Sequence, residues 1–214
     1  MLARLEAAWP APALQRLALF GDALWALCYL AAAVIGWRER TIAFPPLATV
    51  LNVSWEFAFG VVWPPADPTA ARVYRLWLVL DVALLGEVFL WGTPPAQLGS
   101  AGFRVLLAAG VLAALGAHAL AYRALRAPEL QAYVINLVMS VCFLHLGLTR
   151  PGAPGVSLTV AWLKLLGTGC ISIANTLMFL RRRTERPLFF ALFATVLALD
   201  VTYVVLLSLD HARS

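Results

Sequence analysis

Long apolar stretches, each close to the length of a membrane-spanning helix, follow one another along almost the whole chain. A helix needs about 20 predominantly apolar residues to cross the hydrocarbon core of a bilayer. The runs between helix-breaking residues predict spans over Leu14 to Gly36, Ile42 to Trp63, Val73 to Trp91, Phe103 to Tyr122, Leu130 to Leu148, Val156 to Leu180 and Leu188 to Leu209. We therefore expect an all-α fold, a polytopic membrane bundle of seven transmembrane helices.

Prolines lie near the ends of these stretches, as in Pro45-Pro46, Pro64-Pro65, Pro94-Pro95, Pro128, Pro151, Pro154 and Pro187. Proline has no amide donor, so a helix tolerates it best in its first turn or just outside its ends. Seven spans with short connections use nearly all of the 214 residues. Residues 1–214 are thus expected to form a single seven-helix transmembrane domain.

Composition agrees with this interpretation, because 62% of the residues are hydrophobic and only 13% are charged. A soluble domain carries about 25% charged residues. The net charge of +5 comes from arginines at the ends of the spans. They form no basic stripe with interleaved aromatics, so no nucleic-acid partner is expected. The expected partners are the lipid bilayer and a hydrophobic small molecule, and the oligomeric state stays open.

Arginines are distributed unevenly between the two ends of the spans. Five lie at one end, namely Arg38, Arg40, Arg104, Arg150 and Arg213. Ten lie at the other, namely Arg4, Arg16, Arg72, Arg75, Arg123, Arg126, Arg181, Arg182, Arg183 and Arg186. Short loops rich in Lys and Arg stay cytoplasmic. The pattern predicts a multi-pass membrane protein with its N-terminus in the cytoplasm.

Five acidic residues fall inside the predicted spans: Asp22, Glu56, Asp81, Glu87 and Asp200. A carboxylate at mid-bilayer costs roughly 2.5 to 3.5 kcal/mol, so each one needs a partner or a cavity. The helical rise per residue places most of them in the cytoplasmic half, near Asn52, His118, Asn136 and Asn175. It places Glu87, His145 and Lys164 toward the opposite side. A polar pocket opening toward the cytoplasm is predicted.

Helical spacing gives most of these acids polar or aromatic neighbours, because residues three or four apart share one helix face. The predicted binding residues are Asp22, Trp25, Tyr29, Asn52, Trp55, Phe59, Trp77, Asn136, Asn175 and Tyr203. Structural alternatives stay open for this set. Tryptophans also anchor spans at the membrane interface, buried amides also join helices, and an acid can simply pair with Lys164.

Proton handling is the chemistry that these residue types favour. The chain contains no HExxH, GxSxG or GxxxxGK[ST] motif, and its three cysteines form no CxxC pair, so neither a metal nor a cofactor is expected. A carboxylic acid in an apolar pocket can remain protonated at neutral pH and act as a general acid. Aromatic rings stabilise a carbocation without attacking it.

Three segments resemble a known family. Asn52-Val53-Ser54-Trp55-Glu56 looks like the N-x-x-W-E segment of the small integral-membrane terpene cyclases of meroterpenoid pathways. Leu199-Asp200-Val201-Thr202-Tyr203 is similar to their L-D-x-x-Y segment, and Trp77 with Asp81 to their W-x-x-x-D. The family includes fungal pyripyropene-type cyclases and smaller bacterial drimentine-type cyclases. The bacterial type resembles this chain in length and layout.

The resemblance implies a reaction and its catalytic residues. The family's essential acids are a Glu on the second helix and an Asp on the last, which correspond to Glu56 and Asp200. Asp81 is expected as a third catalytic member, and either Asp81 or Asp22 tunes or re-supplies the donor. The implied reaction is protonation-initiated, metal-free cyclisation of a prenyl chain, here a farnesyl chain, attached to an indole or another aromatic group. Which acid donates, and whether it protonates an alkene or an epoxide, stays open.

Two other functions use intramembrane acids. One is a proton-coupled small-molecule transporter, although no internal repeats are evident. The other is a seven-helix receptor. A retinal photoreceptor would need a lysine close to an aspartate, but Lys164 lies in the sixth span, toward the side opposite Asp81. The cyclase hypothesis accounts for more of the residues singled out above.

Overall fold

The structure, a computed structural model, describes residues 11–94, 97–181 and 187–212. These residues form seven helices, which confirms the all-α, seven-helix prediction: α1 (Ala11–Glu39), α2 (Pro46–Phe57), α3 (Pro68–Trp91), α4 (Ser100–Leu125), α5 (Pro128–Thr149), α6 (Leu158–Arg181) and α7 (Pro187–His211). Part of the orientation prediction lies outside the described residues, namely Arg4, Arg182, Arg183, Arg186 and Arg213.

Prolines begin four of the helices, as their positions in the sequence predicted. Pro46, Pro68, Pro128 and Pro187 are the first residues of α2, α3, α5 and α7. The first helical position needs no amide donor, so proline fits there without loss. The start of α3 is further stabilised because the Asp67 carboxylate accepts a hydrogen bond of 2.8 Å from the Thr69 amide.

Length and composition suit five of the helices to crossing a bilayer: α1, α4, α5, α6 and α7. The apolar segment Pro46–Val62 is shorter, and α3 carries Asp81 and Glu87 among its apolar residues. Large apolar side chains point outward, as at Val105, Leu112 and Leu120 on α4, each about 70% exposed. Helices with such surfaces are stable in lipid, where their backbone groups are satisfied internally. The chain is a multi-pass membrane protein.

Helices α1 and α6 form the most extensive contact between two helices in the bundle. Two glycines allow this approach: a Cβ atom on Gly21 would lie 2.9 Å from the Gly167 carbonyl oxygen. A Cβ atom on Gly167 would lie 2.9 Å from Cδ1 of Trp25. Small residues let membrane helices pack backbone to backbone. This contact fixes Trp25 against α6.

A π-helical turn, Ala58–Val62, extends α2 directly after Phe57. Arg75 of α3 donates a hydrogen bond of 2.9 Å from Nε to the Gly60 carbonyl oxygen, which ties the turn to the neighbouring helix. π-helical turns occur frequently at functional sites. Here the turn begins two residues after the buried Glu56.

Aromatic packing fills the interior toward the ends of α1 and α5. Phe44, in the segment between α1 and α2, packs edge-on against Phe143 of α5 with ring centroids 4.9 Å apart, and both side chains are 1% exposed. Phe44 also contacts Tyr29, at 5.6 Å between centroids. We call Phe44 and Phe143 the aromatic plug. The aromatic plug lies beyond Tyr29, on the side where the chain connects α1 to α2.

Candidate active site

A cavity of about 140 Å³ lies between α1, α2, α3, α5 and α6. Glu129, in the first turn of α5, is exposed and forms part of its rim. Asn175, near the end of α6, lines the same cavity. The opening is therefore at the end of the bundle where α5 begins and α6 ends. The described residues of α4 and α7 do not line this cavity.

Aromatic side chains form one continuous wall of the cavity. Their rings follow in the order Trp25, Tyr29, Trp77, Tyr74 and Trp55, with successive centroids 5.3, 6.2, 5.8 and 4.8 Å apart. All five line the cavity. Ring faces carry the negative part of the aromatic quadrupole and attract cations. The wall thus suits a molecule in which positive charge develops.

An acid pair lies at this wall. The carboxyl group of Glu56 on α2 lies beside that of Asp81 on α3, and both side chains are almost completely buried. The Tyr29 hydroxyl contacts Glu56 and accepts a hydrogen bond of 2.9 Å from Nδ2 of Asn52. Asn52 also lies beside Asp81. Three helices thus bring four polar side chains together.

Three of the four carboxyl oxygens of the acid pair lack a hydrogen-bond donor among the described residues. Glu56 Oε2 and both carboxyl oxygens of Asp81 accept no well-formed hydrogen bond from any residue that the structure describes. Ionised carboxyl groups are acceptors only, so a hydrogen bond between two of them requires a proton on one. Like charges at this distance also disfavour a state in which both are ionised. The arrangement therefore suits a pair that carries at least one proton, beside the cavity wall.

Asp200 belongs to a different cluster. Its Oδ1 accepts a hydrogen bond from Lys164 Nζ at 2.5 Å, and Lys164 also donates to Ser140 Oγ at 2.7 Å. The Lys164 ammonium lies 5.8 Å from the centroid of the Trp25 ring. The sequence left open that one of the acids simply pairs with Lys164, and Asp200 is the acid that does so.

Inside the rim, the wall formed by α5 and α6 combines apolar side chains with uncharged polar ones. Asn136 donates a hydrogen bond of 3.1 Å from Nδ2 to Thr168 Oγ1. Tyr133 and Ser172 share a hydrogen bond of 2.6 Å between their hydroxyl oxygens. These contacts hold the two helices together beside the cavity, as buried polar side chains do in membrane bundles. Asn136 thus joins the helices and also faces the cavity.

Nine of the residues singled out from the sequence line the cavity: Asp22, Trp25, Tyr29, Asn52, Trp55, Glu56, Trp77, Asn136 and Asn175. Asp81 does not line it but contacts Glu56. Phe59 does not line the cavity either, but it packs against the lining residue Trp55 as well as against Trp63 and Tyr122. Tyr203 packs against Phe143 in the aromatic plug, and Asp200 is bound to Lys164.

Several lining residues did not emerge from the sequence, among them Tyr74, Tyr133 and Thr168. Helical spacing could have indicated two of these residues. Tyr74 precedes Trp77 by three residues, and Tyr133 precedes Asn136 by three, so each shares a helix face with a predicted residue. Across the described residues, no group of three His, Cys, Asp or Glu side chains could hold a metal ion.

The relatives that comparison with known proteins gives are described as terpene cyclases. Terpene cyclase nodB of Hypoxylon pulicicidum is 26% identical over 156 residues, which cover 69% of this chain and 63% of that protein. Terpene cyclase andB of Emericella variicolor is 27% identical over 162 residues, covering 72% and 68%. Terpene cyclase cdmG of Talaromyces verruculosus is 26% identical over 176 residues, covering 74% and 72%. The chain thus spans less than two thirds of the length of nodB.

A family model covers nearly the whole chain. The model describes Pyr4-like transmembrane terpene cyclases and matches residues 10–211, which include all seven helices and the cavity. This match confirms the resemblance carried by the segments around Glu56, Asp81 and Asp200. The chain belongs to the Pyr4-like transmembrane terpene cyclases.

Proposed function

We propose that this chain is a terpene cyclase that closes the farnesyl chain of an indole-linked or other aromatic precursor by protonating it, without a metal ion. The observation that carries the proposal is the Glu56 carboxyl group, which lies on an aromatic cavity wall and contacts a second buried carboxyl group, that of Asp81. The family and the names of the relatives support the class of reaction.

Glu56 is the proton donor in this proposal. Its proton adds to the terminal carbon–carbon double bond, whose electron pair forms the new C–H bond and leaves a tertiary carbocation. Asp81 stabilises the carboxylate that Glu56 becomes, because a carboxyl group can donate its proton to a neighbouring carboxylate. An alkene is a weak base, so stabilisation of the conjugate base favours the transfer.

Ring closure follows from the carbocation. The next double bond attacks it, a C–C bond forms and the positive charge moves along the chain. The rings of Trp25, Tyr29 and Trp77 stabilise that charge, with about 0.5 to 2 kcal/mol for each favourable cation–π contact. Loss of a proton from carbon to the Glu56 carboxylate ends the reaction. No atom is gained or lost, so the product is an isomer of the substrate, with a drimane-like bicycle.

Direct protonation of an alkene is preferred over epoxide opening, because the chain is short and its length and layout resemble the bacterial type. With an epoxide, the same acid would protonate the oxygen, the C–O bond would break and the product would carry a hydroxyl group. We place the cavity opening in the cytoplasmic half of a bacterial-type cell membrane, since it lies at the end richer in arginines.

Cyclisation in heavy water tests the proposal. Membranes containing the chain are incubated with a farnesylated indole in H₂O and in D₂O, and the products are analysed by mass spectrometry. We expect a cyclised isomer of unchanged mass in H₂O and a product one mass unit heavier in D₂O, because the donated proton comes from an exchangeable carboxyl group. Proton-dependent solute uptake into vesicles without any cyclised product would overturn the proposal and favour a transporter.

A further inference from the structure

The single lysine of the chain, Lys164, has no part in the reaction described above, yet its side chain is only 1% exposed. An ammonium group in a dry interior is unfavourable unless it is paired and fully hydrogen-bonded. Lys164 meets this condition with Asp200 and Ser140. A buried ion pair of this kind beside an active site calls for a functional explanation.

We propose that Lys164 is a positioning residue that keeps Asp200 ionised as a fixed counter-charge, so that Asp200 acts through Lys164 and does not give a proton to the substrate. This inference rests on the proposed cyclase function. It assigns Lys164 a role in the reaction, and it assigns Asp200 a role other than that of a proton donor.

The placement of Asp200 supports this division of roles. Asp200 does not line the cavity, whereas Glu56 does. The ammonium of Lys164 approaches the ring of Trp25, and Trp25 is itself part of the cavity wall. Asp200 therefore lacks the contact with the cavity that a donor needs, and one of its carboxyl oxygens is already bound to Lys164.

The ion pair and the acid pair lie in the same part of the interior, because the fully buried Cys28 on α1 is influenced by the charges of Lys164, Asp200 and Asp81. An unbalanced charge about 10 Å from a buried acid shifts its titration by about one pH unit. With both partners present the two charges largely cancel at Glu56 and Asp81.

Several titratable side chains of neighbouring helices lie near the acid pair and the ion pair. Tyr29 faces Glu56 and Asp81, while Cys28 faces Lys164, and Tyr203 lies near Cys28. His118 on α4 hydrogen-bonds Gln131 at 3.0 Å. Beyond the two pairs themselves, the titratable groups that act on them are Tyr29, beside the acid pair, and Cys28, beside the ion pair. Asp22, His118 and Tyr203 lie further away along the neighbouring helices. Among the groups named here, Lys164 is the cation.

The pH dependence of kcat separates the roles of the acid pair and the ion pair. A proton donor works only while it is protonated, so kcat falls as the pH rises. This fall is the alkaline limb of the pH–rate profile. In Asp200→Asn the uncompensated Lys164 charge favours ionisation of the acid pair, and we expect the limb to move down by about one pH unit. In Lys164→Met the uncompensated Asp200 charge opposes ionisation, and the limb moves up. A merely structural role would move neither limb.

The double variant Lys164→Met/Asp200→Leu is the decisive comparison. It removes both charges and leaves apolar side chains of similar volume, which a buried ion pair often tolerates. We expect the alkaline limb to return to its original position, and turnover to recover by about tenfold or more over Asp200→Asn. Thermal unfolding in detergent should show the same pattern, with both single variants less stable than the double variant.

The results distinguish a failure of the role assigned to Lys164 from a failure of the proposed cyclase function. A double variant that is folded but as inactive as Asp200→Asn, in a preparation whose unchanged protein cyclises the substrate, would overturn the role of Lys164 alone. Unshifted alkaline limbs in both single variants would do the same. Absence of cyclisation by the unchanged protein would instead overturn the proposed function.

Discussion

Glu56 and Asp81 bring their carboxyl groups into contact inside the bundle although they belong to different helices, α2 and α3. Neither group is neutralised by a cation in direct contact: across the described residues, the ion pair found within the bundle is that of Lys164 and Asp200. A proton on one of the two groups removes the repulsion between two like charges at this distance. The proposed donor role of Glu56 depends on such a proton.

Replacing the proposed donor should abolish cyclisation. Glu56→Gln keeps the shape of the side chain but provides no transferable acidic proton, so we expect product formation to fall by about 10³-fold or more. The cyclised isomer is quantified by chromatography and mass spectrometry. Glu87→Gln is the matched control, because Glu87 is equally buried but does not line the cavity. More than a tenth of the original activity in Glu56→Gln would contradict the assignment of the donor.

Asp81→Asn should lower kcat while leaving KM nearly unchanged. The asparagine amide can still contact Glu56, but it cannot share or return a proton, and Asp81 does not line the cavity. We expect kcat to fall by about 10- to 100-fold. Asp67→Asn, at the exposed start of α3, is the control on the same helix because asparagine caps a helix as well as aspartate does. A rise in KM alone would point to a binding role.

The aromatic wall should control both the rate and the completeness of cyclisation. Trp77→Leu removes one cation-stabilising ring, and we expect about tenfold slower turnover with partly cyclised products, whereas Trp77→Phe should retain most of the activity. Products are compared by chromatography. Trp37→Leu serves as control, because Trp37 packs against Trp91 and lies outside the cavity lining. Identical products from both Trp77 variants would argue against a role for the ring.

Gly167→Ala should destabilise the bundle, because the added Cβ would lie 2.9 Å from Cδ1 of Trp25 and 3.2 Å from the Gly21 carbonyl oxygen. Overpacking of this kind costs about 1 to 3 kcal/mol. Gly169→Ala, two residues further along α6, meets nothing within 4 Å and is the matched control. Thermal unfolding in detergent measures the difference. Equal midpoints for the two variants would show that α1 and α6 separate at little cost.

Much of the fold and part of the site could be predicted from the sequence, for physical reasons. Proline restricts where a helix can begin, and a helix must be long and apolar to cross a bilayer, so the seven helices followed from the pattern. Helical spacing placed Trp25 and Tyr29 beside Asp22, and all three line one cavity. The spacing rules work here because α1 is a regular helix over this stretch.

The remaining features depend on contacts between helices. Depth along its helix placed Lys164 toward the far side, but its flexible side chain reaches Asp200 on α7. Helical spacing put Phe59 on the same face as Trp55, and the two rings do pack together, with centroids 5.1 Å apart. Phe59 also contacts Tyr122 of α4 and does not line the cavity. Neither effect leaves a mark in the hydrophobic pattern.

The aromatic plug has a consequence for the order of events in turnover. Among the described residues, Phe44 and Phe143 pack the interior beyond Tyr29, and the exposed Glu129 marks the rim at the other end of the cavity. A cyclised product is bulkier and stiffer than the open chain from which it formed, and it leaves past this rim before a new chain binds. Release of the product should then be slower than binding of an open chain, so a first round of catalysis would be faster than later ones.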